Sequence, residues 1–346
     1  MSDKKALNVT LLQRAAEEYD PTLRKLPFLG LMDTLSALEV NLLEVDGKDK
    51  VVLFHRKSGI ARPYVVGGTN EVAEGEIGKA IERELTPKEC FTALKDHIMN
   101  YSNKRVISNQ SEKVDTKQKR HPLELLIIES KIRTVNEDII DALFHAKRDN
   151  EDKSPMGMFD GFNELIDTEI SNGEVSTAKG NLVETGSLST PATDEDTEAF
   201  NKLVAFIRSA SPHLRRKGVL YITNDALFHC MDALGNKLKY KNALEFEVFV
   251  EHLRGLTQAA NLRLITHEAL GSGSRLLYTI PRNLDFGLGT RGEESFVQVR
   301  APYEDPNIAQ FWMQWSSGAR VTSIHPKEFL VNDQTNTATE LSGDYS

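Results

Sequence analysis

Two cysteines, Cys90 and Cys230, are all that this sequence contains, far apart and in no C-x-x-C pattern. That excludes a disulfide-stapled scaffold and a thiolate metal centre, and both are expected to be free thiols of a reducing compartment. Long apolar runs are missing too: no window approaches the roughly 18 to 20 uninterrupted apolar residues of a membrane-spanning helix. The opening residues, MSDKKALNVTLLQRAAEEYD, lack the apolar stretch and small-residue cleavage site of a secretory signal, so a soluble, cytoplasmically made protein is expected. A basic surplus is also lacking, since 42 Lys and Arg face 51 Asp and Glu for a net charge of −9. A dedicated nucleic-acid binder usually carries a basic face, so this balance points instead to a self-repelling, soluble surface. There is no internal repeat.

Catalytic templates fail as well, each on its context. Gly287-Leu288-Gly289-Thr290-Arg291-Gly292 matches G-x-G-x-x-G. A dinucleotide fingerprint needs a helix after it, whereas the following EESFVQVRAP has the pattern of a strand. These glycines are therefore expected to connect two strands and bend the chain. His267-Glu268 begins like H-E-x-x-H, but Gly271 occupies the second histidine's place. No two histidines share a helix face at i, i+4. His229 and Cys230 are neighbours in sequence, so on a helix their side chains diverge. GSGSR lacks the G-x-S-x-G spacing, and there is no Walker-type G-x-x-x-x-G-K-[ST]. The sequence thus offers no catalytic residue, no cofactor-binding residue and no metal ligand, and it implies no cofactor.

What is present is a chain of 346 residues, 40% hydrophobic and 27% charged. That is enough for about two domains or one elaborated domain. The first thirty-five residues are polar with short apolar pieces, the pattern of an arm with little core of its own. ALEVNLLEV and VVLFH flank Asp46-Gly47, which predicts a hairpin. TPKECFTALKDHIMNYSN predicts a helix, with Thr86 as cap, Pro87 first and Glu89 third. EKVDTKQKRH reads as a solvated basic connector.

The strongest pattern is HPLELLIIESKIRTVNEDIIDALFHAK, a helix over 122–147. Leu125, Ile128, Ile132, Val135, Ile139, Leu143 and Ala146 recur three and four apart along it. Phe159-Asp160-Gly161-Phe162 is expected to open a strand. A Gly-, Ser- and Thr-rich ribbon precedes a helix striped by Phe200, Leu203, Val204 and Ile207 and stopped by Pro212. GVLYIT predicts a buried strand, and NDALFHCMDALG a short helix closed by Gly235. Strands then dominate: LRLITH, RLLYTIP, SFVQVR, IAQFWMQW and ARVTSIH, the last two joined by a turn at Ser316-Ser317-Gly318. Trp312 and Trp315 suit core and interface positions. The tail NDQTNTATELSGDYS is polar.

In this order the parts resemble the major capsid proteins of tailed bacteriophages (Caudoviricetes). The likeness is carried by ALFHAKRDNEDKSPMGMFDGFNELID, where a spine helix runs into a D-G-F phrase, and by VLYITNDALFHCMDALGN. It closes with YTIPRNLDFGLGT and VRAPYEDPNIAQFWMQWSSGARVTSIHPKEFLV. The D-G-F and N-L-x-F-G phrases are especially similar to capsid proteins of gut-associated Bacteroidetes phages.

The resemblance implies an α+β Hong Kong 97-type capsid fold, divided as follows. An N-terminal arm and first strand would occupy 1–44 and an extended hairpin loop 45–85. A peripheral domain would span 86–211 and an axial domain 212–305. Return strands of the peripheral domain would take 306–332, leaving a polar tail at 333–346. It also implies a non-enzymatic shell protein of the virion, assembled in the bacterial host cytoplasm as hexamers and pentamers. The expected partners are further copies of the chain, a portal at one vertex and packaged double-stranded DNA touched weakly. Scaffolding is expected to be a separate protein because the chain starts at Met1 with little room for a scaffolding region. Decoration proteins are possible partners, and no membrane is expected. Two other readings stay open: an encapsulin-like cellular compartment, and an enzyme with an unrecognised site around His229, Cys230 and His267.

Overall fold

A computed structural model describes residues 9–45, 47–56, 78–97, 123–193, 195–239, 245–290, 296–302, 305 and 307–338. It opens with three helices, α1 (Val9–Glu18), α2 (Asp20–Leu23) and α3 (Leu26–Ala37). The N-terminal segment is not a coreless arm. Leu12, Leu23, Leu31 and Leu35 are each at most 1% exposed and belong to the larger of two hydrophobic cores. Apolar residues spaced by helical turns supply that face, which the polar composition of the segment conceals.

Strand β1 (Val40–Glu44) follows, then β2 (Asp49–Arg56), β3 (Gly78–Leu85) and β4 (Lys88–His97). The hairpin predicted at Asp46-Gly47 does not form between its flanking runs. β1 pairs in parallel with a strand more than 200 residues downstream, whereas β2 pairs antiparallel with β3. β4 corrects a second expectation, because the predicted helix from Thr86 is a strand. Its residues alternate between faces, with Cys90 buried and Phe91 exposed, and it pairs along its whole length with a later strand. Long-range pairing overrides a local capping signature. The expected basic connector at 112–121 lies outside the described residues.

The spine helix, α4 (Leu123–His145), forms as predicted, and all seven stripe residues from Leu125 to Ala146 are buried. Its 23 residues make a rod of roughly 34 Å at ~1.5 Å per residue. The D-G-F phrase opens a helix rather than a strand. Gly161 is the N-cap of α5 (Phe162–Ser171), and Asp160 accepts a hydrogen bond from the Arg148 amide at 2.9 Å. Gly161 packs so tightly on the spine's last turn that a Cβ there would lie 2.9 Å from the Leu143 carbonyl oxygen.

Short β5 (Leu182–Val183) leads to α6 (Glu198–Ser209), α7 (Pro212–Lys217), β6 (Val219–Tyr221), α8 (Asn224–Leu238) and α9 (Phe246–Thr257). α8 runs past Gly235 and ends at a left-handed Lys239. The remaining strands are β7 (Arg263–Ile265), β8 (Ser272–Gly273), β9 (Leu277–Thr279), β10 (Leu284–Gly289), β11 (Val297–Arg300), β12 (Ile308–Val321), β13 (Phe329–Asn332) and β14 (Asn336–Thr337). Ser316-Ser317-Gly318 makes no turn. β12 is one 14-residue strand, because β10 and β4 pair with it across that point. Gly287 and Gly289 likewise lie inside β10. A Cβ at Gly287 would fall 2.6 Å from Leu85 and 2.8 Å from Val45, so the glycine allows close approach rather than a bend.

Two five-stranded sheets organise these pieces. The first runs β1-β10-β12-β11, with β4 on the other side of β12, and the second runs β5-β13-β9-β6-β7. In the second sheet Tyr221, Leu277 and Val331 share a register row, and Leu220, Tyr278 and Leu330 share the next. The first row belongs to the larger core with the spine helix; the second belongs to a smaller core with Phe200, Cys230 and Phe249. Strand periodicity thus makes this sheet the wall between two cores. Helix α6, expected beside the spine helix, packs in the smaller core through Phe200, Leu203, Phe206 and Ile207.

Candidate assembly surfaces

The groups named for a possible enzymatic site are engaged structurally. On α8, His229 Nε2 meets Thr190 Oγ1 and its Nδ1 meets the Leu188 carbonyl, both at 2.9 Å. Cys230 faces the opposite way, into the smaller core, where burial pushes its thiol up to about 12. His267 caps the turn Glu268–Leu270, accepting from the Ala269 amide at 3.1 Å. Cys90 is buried and its thiol is also pushed up, chiefly by desolvation. Among the described residues no three His, Cys, Asp or Glu side chains cluster as metal ligands would. No helix among them is long and apolar enough to cross a membrane.

Among the described residues, large apolar side chains are exposed on α3, at Leu29 and Met32, and on three further surfaces. The first is the β2–β3 ribbon, whose strands, among the described residues, pair with each other and with no other strand. It exposes Val52 on one face and Ile81 on the other, since Val52 pairs with Glu82 and Ile81 with Leu53. Its root is fixed firmly. Arg320, 3% exposed, donates to Asp285 at 2.6 and 3.1 Å and to Asp49 at 3.0 Å, joining β12, β10 and β2. Asp285 also accepts from Asn41 and Thr322, each at 2.8 Å. On β3, Arg83 pairs with Glu169 of α5 at 3.0 Å, and Leu85 is fully buried. Glu84 bridges to Lys48 at 2.7 Å, and this contact holds its carboxyl below the usual range. The ribbon thus has a root held by ion pairs and an exposed apolar residue on each face.

The second surface is the open face of the first sheet. Phe91, 63% exposed, stacks on Trp312 with ring centroids 5.0 Å apart and planes 16° from parallel. The third belongs to the smaller core, whose helices expose Phe228, Phe246 and Leu256.

Sequence reasoning missed the Arg320–Asp285 pair and the Phe91 face. A charged residue inside the apolar run NLDFGLG signals a buried, partnered carboxylate. Strict alternation from Glu89 to His97 signals a strand. Asp46 of the predicted hairpin lies outside the described residues.

Comparison with solved structures decides the fold. A chain in the procapsid of satellite phage P4 superimposes with a TM-score of 0.53 at 13% identity, over 87% of this chain and 89% of that one. A chain in the capsid of an empty GTA particle gives 0.52 at 14% identity, over 88% and 89%. This chain has the Hong Kong 97-type capsid fold. The likeness spans most of the length of both chains. A virus-like particle of Pyrococcus furiosus is more distant, with a TM-score of 0.45 at 13% identity over 91% of this chain and 100% of that one. No protein-family model matches the sequence, and no curated protein matches it.

Proposed function

We propose that this chain is the major capsid protein of a tailed bacteriophage, a non-enzymatic subunit whose copies form the hexamers and pentamers of an icosahedral shell. The observation that carries this reading is the match over almost the whole chain to subunits of a phage procapsid and a GTA capsid. The geometry supports it physically. A closed shell arises when the same heterologous contacts repeat around closed rotations, and modest contacts suffice because assembly multiplies them. A ribbon rooted by a buried ion network, an exposed aromatic face and exposed aromatics on the smaller core offer such contacts on separate elements of one subunit.

In this reading the larger core, with the spine helix, is the peripheral domain. The smaller core, with α6, α8 and α9, is the axial domain facing the ring axis, and the β2–β3 ribbon overlaps the adjacent copy. Packaged double-stranded DNA lies against a wall whose parent chain carries a net charge of −9, so contacts with it are weak and non-specific. A portal takes one vertex, and scaffolding or decoration proteins are separate chains. Light scattering with negative-stain imaging of the purified protein tests this. Hollow shells or five- and six-membered rings are expected. A monomer that stays small with added salt, crowder and scaffold would overturn the reading.

A further inference from the structure

Helix α8 carries two unlike flanks. Its buried side is set by Leu227, Cys230 and Leu234. Phe228 follows Leu227 by one residue, about 100° round the helix, and Lys237 follows Phe228 by nine, a net turn of about 180°. The two side chains therefore leave α8 on opposite flanks. On one, Phe228 is 62% exposed. Exposed Asp225 and Asp232 bracket it at i−3 and i+4, the spacings that share a helix face.

On the other flank lies an open groove of about 570 Å³, with Val204, Ala205 and Leu256 among its lining and Arg208 and Lys237 contributing its cations. Both cations are held in place. Arg208 donates to the Leu256 carbonyl at 2.8 and 3.0 Å, and Lys237 donates to Asn201 at 3.1 Å. An aromatic knob between carboxylates and a partly apolar groove carrying two cations complement each other in chemical character and in charge. Neither complements itself, and on opposite flanks of one helix they cannot meet within one molecule. That is the signature of a head-to-tail contact between copies, the kind that closes into a ring.

We propose that Phe228 of one copy seats in the Val204–Ala205–Leu256 groove of the next, with its flanking aspartates facing Arg208 and Lys237. The contact joins neighbours around each ring and rests on the capsid reading above. The test uses the full-length double variant F228C/A205C, assembled and then treated with a short bis-maleimide. Cys90 and Cys230 are buried and stay silent. A ladder from dimer up to the closed ring is expected on a denaturing gel, with each single variant remaining monomeric.

If loss of Phe228 itself prevents assembly, N224C/S209C, at exposed positions beside the knob and the groove, leaves Phe228, both aspartates and both cations in place and gives the same readout. Assembled particles of either double variant that show no linkage would overturn the contact alone. Linked dimers from F228C by itself would do so too, because they require a symmetric interface. Failure of the unmodified protein to assemble would overturn the capsid reading, and this contact with it.

Discussion

Arg320 is the residue whose loss the structure predicts to be most costly at the ribbon's root. Its guanidinium is 3% exposed and its partner Asp285 is 7% exposed, so the pair is shielded from water. Replacing Arg320 with Ala strands a buried carboxylate, a change that costs about 3–5 kcal/mol. Asn41 and Thr322 still donate to Asp285, which puts the loss near the lower end, about 3 kcal/mol. At roughly 2–4 °C per kcal/mol, the unfolding midpoint should fall by roughly 6–12 °C.

Intrinsic fluorescence is a direct readout on the unassembled chain, because both tryptophans, Trp312 and Trp315, lie on β12, the strand that also carries Arg320. Arg320→Met combined with Asp285→Asn removes both charges and should recover most of the loss, as uncharged replacements of buried pairs commonly do. A shift under about 2 °C for R320A, or a double variant no better than the single, would refute the reasoning.

Three further outcomes are expected. A Cβ at Gly289 would overlap the Val45 backbone, so G289A should destabilise by about 1–3 kcal/mol, whereas G235A, with open space inside α8, should stabilise by about 0.5–1 kcal/mol; urea midpoints separate the two. On the spine helix, burial, reinforced by Asp141 and Glu137, pushes the Asp138 carboxyl up from 3.8 to about 6. Its folded value lies above its unfolded one, so the stability it contributes is complete below about pH 4 and is lost as pH rises through about 6. D138N should flatten that decline between about pH 4 and 6, and the same fall in unfolding midpoint over that range for the two proteins would contradict it. Both thiols are buried with raised pKa values, so a thiol reagent at pH 8 should leave the native chain unlabelled and modify two cysteines on denaturation.

The sequence made local structure legible wherever one element buries one stripe. The spine helix announced itself from Leu125 to Ala146 because every stripe residue faces the same core. β7, β9 and β11 were readable as short apolar runs. Failures came where distant partners decide. Lys88–His97 carries a helix-like start, yet ten residues of pairing with β12 make it a strand. Asp46-Gly47 looked like a hairpin because the parallel partner of Val40–Glu44 sits beyond residue 280. Ser316-Ser317-Gly318 looked like a turn, but Ser317 is fully buried and Gly318 lies against Pro87 inside a long strand. The Phe91–Trp312 face was not legible, since it exists only once β4 lies beside β12.

The central claim is that one subunit closes a shell by turning its smaller core to the ring axis and laying its ribbon on a neighbour. Cryo-electron microscopy of the assembled, unmodified protein measures this directly. Rings of five and six with α8 and α9 around the axis, and the Asp49–Leu85 ribbon over an adjacent copy's larger core, are the predicted result. Open filaments, symmetric dimers, or rings with the smaller core pointing away from the axis would contradict it.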